Sequence, residues 1–224
     1  MIQCPVNSLL LEIGDVFVKK PSVIMEESLA YAHGSNLNPA DLVQIVGKVI
    51  SIPKGITTDV WGYEGLSTKD IYPDDVAIIR YDVIYSFSQD KKRFKNMFYY
   101  KGKEYWVASI HSIFGVIRAG EIIMVNGYCM VEDYSNASAL IIPQHMKHLI
   151  EIGTATLSHI GNNLTHLPKV NAEQGDTVYY NPNLLQKYEI GGRKFGIIKQ
   201  KDIMGVSRAS YADFRQDLSW KREN

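Results

Sequence analysis

The chain's 224 residues carry 24 basic and 24 acidic side chains, a balance that leaves no net field to draw in nucleic acid or an anionic membrane. An apolar share of 46% supports a real core, and two cysteines without CxxC spacing, Cys4 and Cys129, argue against a disulfide scaffold or a structural zinc site and suit a reducing compartment. No run approaches the roughly 18 apolar residues of a membrane helix, and MIQCPVNSLLLEIGDVFV, with no basic start and an acidic break at Glu12, does not read as a signal peptide, so the expectation is a soluble, cytoplasmic protein of one or two domains.

In chain order the best local signals are strands. They are GDVFVKK (Gly14–Lys20), GKVISIP (Gly47–Pro53), DVAIIRYDVIYSF (Asp75–Phe87), EYWVASI (Glu104–Ile110), IFGVI (Ile113–Ile117) and EIIMVNGYCMVED (Glu121–Asp133). GTATLSHI (Gly153–Ile160), DTVYYN (Asp176–Asn181) and KFGIIKQ (Lys194–Gln200) follow. Each is β-branched or aromatic and bounded by Gly, Pro, Asn or Asp, which points to an all-β sandwich or barrel. Helix patterns are scarce. NPADLVQIV (Asn38–Val46) can start a short one, and ADFRQDLSWKREN at the end another, with Tyr211, Phe214 and Leu218 at helical spacing.

The chain repeats itself. KGKEYWVASIHSIFGV (Lys101–Val116) and GGRKFGIIKQKDIMGV (Gly191–Val206) align without a gap, matching at Gly102/Gly192, Ile113/Ile203, Gly115/Gly205 and Val116/Val206. GDVFVK pairs with GYCMVE (Gly127–Glu132), GKVISIP with GTATLSH (Gly153–His159), and PDDVAII (Pro73–Ile79) with GDTVYYN (Gly175–Asn181). Four blocks in the same order, with only the spacers changing, indicate two copies of a complete small domain rather than a short-period solenoid. The boundary falls at Arg118–Gly120, giving units 1–118 and 119–208 and a tail 209–224. Gly191-Gly192 marks a hairpin, Gly175-Asp176 a tight turn before a strand, and Asp202 a turn into the closing strand.

The G-x-A-x-L strand at Gly153–Leu157, Gly175-Asp176-Thr177-Val178, the Gly191-Gly192 turn and the Lys201-Asp202-Ile203-Met204-Gly205-Val206 close resemble the small co-chaperonin (GroES-like) family. The resemblance covers about Glu121–Arg208 well and Leu11–Ile117 more weakly; in the first copy Asp74 stands for the glycine of the G-D-x-V motif and Ser112 for the closing aspartate. It implies two tandem GroES-like β-barrels with long loops, no catalytic residues, no cofactor and no metal. It also implies a homo-oligomeric ring that caps an ATP-dependent chaperonin ring.

In that family a flexible loop after the first strand carries a three-residue aliphatic patch that docks in a chaperonin groove. The corresponding loop is Asp133–Ile152, with Leu140, Ile141 and Ile142 as the patch. Burying three such side chains yields roughly 4–9 kcal/mol before the cost of ordering the loop, and a symmetric ring multiplies weak contacts into avidity. The alternative is that the three pack beneath the loop or form another strand. Pro143 and Gln144-His145-Met146 are bulkier than the family's Gly, Ser and Thr flanks. The first-copy loop, Pro21–Val43, holds Val23, Ile24 and Met25: a second docking patch, a strand continuation or a remnant. A second family loop, the roof of the ring, corresponds to Lys54–Ile71 and Asn162–Glu173.

Other motifs weigh little. His145 and His148 are spaced for one helical face, but no further ligand pattern completes a metal site. The cysteine cluster and dinucleotide fingerprint of zinc alcohol dehydrogenases, which share a GroES-like domain, are absent. Gln89–Tyr100 interleaves basic and aromatic residues as single-strand binders do, yet net neutrality favours a charged hairpin tip. Asn136-Ala137-Ser138 and Asn163-Leu164-Thr165 fit a glycosylation pattern that an intracellular chain does not use. The tail packs on its own barrel or clips onto a neighbour. The expectation is therefore a co-chaperonin-like protein; the runner-up is a structural or assembly protein, of a bacteriophage virion for example, built on the same tandem scaffold.

Overall fold

The computed structural model describes residues 4–14, 45–57, 65–84, 87–88, 93–135, 152–162, 164, 170–190 and 192–208. These residues are all-β, with helical turns no longer than three residues and no helix long and apolar enough to cross a membrane. The strands are β1 (Ser8–Glu12), β2 (Val46–Ser51), β3 (Val76–Ile79), β4 (Phe87–Ser88), β5 (Arg93–Phe94), β6 (Met97–Tyr100), β7 (Lys103–Ser109), β8 (Ile113–Arg118) and β9 (Glu121–Met124). They continue with β10 (Tyr128–Ser135), β11 (Gly153–Ile160), β12 (Thr177–Tyr180), β13 (Gln186–Ile190), β14 (Arg193–Lys199) and β15 (Ile203–Ser207).

Two antiparallel sheets result, ordered β6-β7-β1-β2-β3-β8-β9 and β13-β14-β10-β11-β12-β15, with β4 and β5 pairing as a separate hairpin. Strand for strand, the second order repeats the first six positions of the first. The hydrogen bonds outside the strands repeat too. Ile110 N–H donates to the Asn7 carbonyl at 3.0 Å, and Gln200 N–H to that of Gly127 at 2.8 Å. Asp74 N–H donates to the Val49 carbonyl, and Gly175 N–H to that of Leu157, both at 2.8 Å. The gapless block holds residue for residue: β7, a 3-10 turn at Ile110–Ser112 and β8 correspond to β14, a 3-10 turn at Gln200–Asp202 and β15.

Each sheet encloses its own core. Leu9, Leu11, Val49, Ala77, Trp106 and Val116, from β1, β2, β3, β7 and β8, belong to one buried cluster. A flat sheet cannot gather so many strands around one core, so the sheet curls. The second sheet gathers Cys129, Val131, Leu157, Val178 and Ile198 in the same way. Among the described residues neither sheet closes into a hydrogen-bonded ring of strands; β6 and β9 are the edges of one, β13 and β15 of the other. A third cluster joins the sheets through their outer faces: Ile45, Ile78, Phe114 and Met124 pack against Tyr128, Met130, Tyr188, Phe195 and Ile197.

Several expected elements shift. The first strand is Ser8–Glu12, upstream of Gly14–Lys20, most of which lies outside the described residues. Leu9, Leu10 and Leu11 are all fully buried, because the strand is covered on both faces and shows no alternation. The expected strand Asp75–Phe87 breaks at a 3-10 turn, Tyr81–Val83; Arg80 N–H reaches the Ser112 carbonyl, and its guanidinium pairs with Asp82 at 2.6 Å. Glu121–Asp133 splits into β9 and β10 at Asn126-Gly127, both with positive φ (54° and 73°), a turn pair rather than mid-strand residues. Consequently Arg118–Gly120 is a hairpin inside the first sheet, Arg118 pairing with Glu121, and the chain changes sheets at Val125–Gly127. Of the short helix Asn38–Val46, Val46 is strand and residues 38–44 lie outside the described residues, as does the C-terminal segment 209–224.

Candidate partner-docking loops and their anchors

The two aliphatic patches, Leu140–Ile142 and Val23–Met25, lie outside the described residues. The strands that anchor their segments do not. The second patch belongs to the connection from β10 to β11, and the first to the connection from β1 to β2, which are corresponding strand pairs. The second connection is shorter than expected at its start. Asp133 takes a positive φ of 49° and the pairing shifts between Glu132 and Ser135, but β10 continues through this irregularity to Ser135. There Ser135 Oγ and Thr154 Oγ1 share a hydrogen bond of 3.1 Å.

A hairpin pairs with the strand that precedes each long connection, β6–β7 with β1 and β13–β14 with β10. Tyr100 pairs with Lys103 across Lys101-Gly102, and Ile190 with Arg193 at the expected Gly-Gly hairpin, where Gly192 has φ 79°. The Arg193 guanidinium donates to Glu132 at 2.7 Å, tying the second tip to β10. The Lys187 ammonium lies 5.3 Å from the centre of the Tyr134 ring. Lys103 approaches Glu12 at 3.7 Å in the first copy. These are largely exposed pairs that orient a tip and add little stability.

The β2–β3 and β11–β12 connections leave the opposite ends of their sheets and meet at the sheet change. Ser67 N–H donates to Asn126 Oδ1 at 2.9 Å, Gly127 N–H donates to the Asn162 carbonyl at 2.8 Å, and the Asn162 amide donates to the Asp70 carboxylate. Arg118 organises this junction. It grips Asp75 with two hydrogen bonds of 2.8 and 2.7 Å, reaches the Asp70 carbonyl at 2.9 Å, and stacks 4.4 Å from the Tyr72 ring centre. Its hydrogen bonds hold the buried Asp75 carboxyl below the usual carboxylate range, against the upward push of burial and with help from Tyr72 N–H. The pieces of the two expected roof loops that are described therefore clasp each other and the linker.

The junction ties together the two connections and the linker between the sheets. Among the described residues no three His, Cys, Asp or Glu side chains converge on one point, and the His145/His148 pair lies outside them. A cleft of about 250 Å³ lies beside Tyr128, Leu184, Lys199 and Lys201. Burial, then the neighbouring Lys201, lowers the Lys199 pKa, and its ammonium lies 5.5 Å from the centre of the Tyr128 ring.

The residues that matter most to the architecture were not singled out by the strand patterns. Phe114, Tyr188, Phe195 and Ile197 make the joint between the sheets. For Phe195 and Ile197 the signal is the unbroken apolar run Phe195–Ile198, buried on both faces of β14. No protein-family model matches the chain, and a search of curated proteins finds no significant relative.

Proposed function

We propose that the chain is a co-chaperonin-like cap: two GroES-like barrel units in tandem that assemble into a ring on a cytoplasmic chaperonin. Leu140–Ile142, and Val23–Met25 beside them, dock in apolar grooves of the partner. ATP turnover by the partner drives binding and release; this chain contributes shape and contacts, not chemistry. The observation that supports this reading is the duplicated sheet, whose corresponding strands bound the two patches in sequence. Each falls in the stretch of sequence between corresponding strands of that duplicated sheet, β1–β2 and β10–β11. A curled sheet with its own core, repeated in one chain, is a frame from which both connections start at corresponding strands.

The test is co-sedimentation with a chaperonin ring, with and without ATP. Wild-type chain binds in the nucleotide state, and Leu140→Ser weakens binding by about tenfold or more, since a lost aliphatic contact of ~1.5–3 kcal/mol is multiplied around the ring. Binding unchanged by Leu140→Ser rules out docking through this patch. Stable co-assembly with structural proteins and no response to any chaperonin supports the scaffold reading instead.

A further inference from the structure

The first hairpin carries side chains that its fold does not need. β6–β7 corresponds to β13–β14, and Phe98 stacks on Tyr105 across the first at 5.9 Å as Tyr188 does on Phe195 across the second at 6.1 Å. Tyr188 and Phe195 are buried in the joint between the sheets, whereas Phe98 and Tyr105 are half-buried. Beyond this pair the copies part. Glu189, Ile190 and Gly191 stand where the first copy has Tyr99, Tyr100 and Lys101. Lys101 takes a left-handed φ of 51° in a turn that favours glycine or asparagine, so its side chain is kept against backbone strain. Strain retained at an exposed tip points to a use for the side chain that causes it.

The added side chains form one basic, aromatic surface. Residues 91–103 hold six of the chain's 24 basic side chains and none of its 24 acidic ones, with Phe94, Phe98, Tyr99 and Tyr100 among them. Met97 pairs with the buried Trp106 on the core side, so Phe98 and Tyr100 stand on the outer face, opposite Tyr105 and Lys103. Tyr100 is 39% exposed, and the Lys101 ammonium lies 5.5 Å from its ring centre. The exposed Lys95 precedes β6, and the exposed Lys101 and Lys103 follow it. Cations therefore flank a file of rings on a strand that is, among the described residues, an edge of its sheet. The neighbouring acids are occupied: Glu104 accepts from the Tyr99 hydroxyl on the other face, and Glu12 lies 3.7 Å from Lys103. The chain's neutrality does not cancel this patch, because at 0.1 M salt charges act over only about 10 Å.

We propose that the outer face of β6–β7 binds single-stranded nucleic acid. Bases stack on Tyr100 and on the Phe98–Tyr105 pair, and phosphates pair with Lys95, Lys101 and Lys103. Phe98 and Tyr100 lie two residues apart on one strand, about 6.6 Å, which lets successive bases of an extended strand meet successive rings. Every base has a face to stack, so the site selects single strands and not a sequence. A duplex hides its base faces, and an acidic peptide brings carboxylates that the negative faces of the rings repel. Either would use the lysines and leave the rings without a partner. The proposal needs neither the capping reading nor the docking patches.

The test is fluorescence anisotropy of the full-length chain with a labelled oligothymidylate across a series of salt concentrations. Wild type binds, and the logarithm of its affinity falls against that of salt with a slope of about −2, three phosphates at roughly 0.7 each. Tyr100→Ala weakens binding at least about fivefold and leaves the slope unchanged. Circular dichroism of this variant verifies that the fold is intact. Lys101→Gly suits the turn, so the fold is kept, and it flattens the slope by about 0.7. Lys194→Gln, at an exposed place on the second hairpin, changes neither affinity nor slope. Wild type that ignores the oligonucleotide at low salt overturns the proposal, as does Tyr100→Ala or Lys101→Gly binding that matches wild type in affinity and slope. A DNA duplex or polyglutamate held as tightly as the single strand would make the patch a general anion surface or an acidic-protein site, and preference for phosphatidylserine vesicles would make it a membrane face; each of these also sinks it.

Discussion

Phe114 of the first sheet meets Tyr188 of the second edge-on, ring centroids 5.3 Å apart and planes at 61°. Tyr128 completes the arrangement at 5.0 Å and 76°, its hydroxyl donating to the His111 carbonyl at 2.9 Å. Rings at such angles place a positive edge on a negative face, a gain beyond their buried area. Phe114 is fully buried although it lies on the outer face of its own sheet. The second sheet is therefore what keeps it dry.

Phe114→Ala empties the centre of that joint. We expect a loss of about 3–5 kcal/mol, the usual cost of truncating a buried phenylalanine. Its distinctive effect is on cooperativity. Each sheet keeps its own core, so calorimetry should show one transition for the wild type and two separated ones for the variant. A loss of the same size in a single transition would mean that the sheets do not fold as separable units.

The joint also shows where sequence reading succeeds and where it fails. The closing block was legible because its two copies align without a gap, and both fold as strand, 3-10 turn and strand. Elsewhere glycines mislead the register. Matching on glycine pairs Gly14 with Gly127, whereas Asn7 holds that place. Matching Gly47 with Gly153 is off by two residues, since Gly47 opposes Ala77 as Ala155 opposes Val178. A shift of two keeps every side chain on the same face, so the apolar pattern cannot detect it. Strands buried on both faces, such as Leu9–Leu11, lose the alternation on which strand reading depends. Leu140–Ile142 and Val23–Met25 follow from the family resemblance and their place along the chain, not from any pattern that folds a sheet.

Asp74 and Gly175 occupy one position in the two copies, both left-handed, at φ 73° and 94°. A Cβ at Gly175 meets no atom within 4 Å, so Gly175→Ala tests backbone strain without a clash. We expect it to destabilise the chain by about 1 kcal/mol, because a left-handed residue with a side chain is strained. Asp74→Gly relieves that strain but gives up the exposed Lys48–Asp74 pair at 2.7 Å and should fall within about 0.5 kcal/mol of wild type. Urea titrations of both variants measure the contrast; equal losses would deny that the positions correspond.

Both cysteines are protected by burial. The Cys129 thiol is pushed up to about 12, and the half-buried Cys4 thiol to about 11, its S–H donating to the Ser8 carbonyl at 2.7 Å. Alkylation proceeds through the thiolate. At pH 8 we expect native chains to label at neither site on the timescale of a free thiol, and both sites to label promptly in denaturant. Mass spectrometry separates the two peptides. Fast native labelling of Cys129 would show that the second core opens without global unfolding.

Acid should act first through Asp75. Arg118 holds this carboxyl below its unfolded value, so the group adds stability that is complete above the unfolded pKa of about 4 and is lost as the pH falls through the lower folded value. Asp75→Asn keeps the shape and the acceptor for Tyr72 N–H but removes the charge that Arg118 grips. The variant should be less stable than wild type at pH 7. The gap should persist to about pH 4 and close below it, as wild-type Asp75 takes up its proton. Denaturant titrations at several pH values read this directly. A gap that stays constant down to pH 2 would assign the loss to packing rather than to the ion pair. Because Arg118 also reaches the Asp70 carbonyl and Tyr72, losing its grip on Asp75 should loosen the β2–β3 connection as well. Hydrogen exchange at the Ser67 amide, which is held by Asn126, is expected to quicken in Asp75→Asn at pH 7 and to quicken in wild type only in acid.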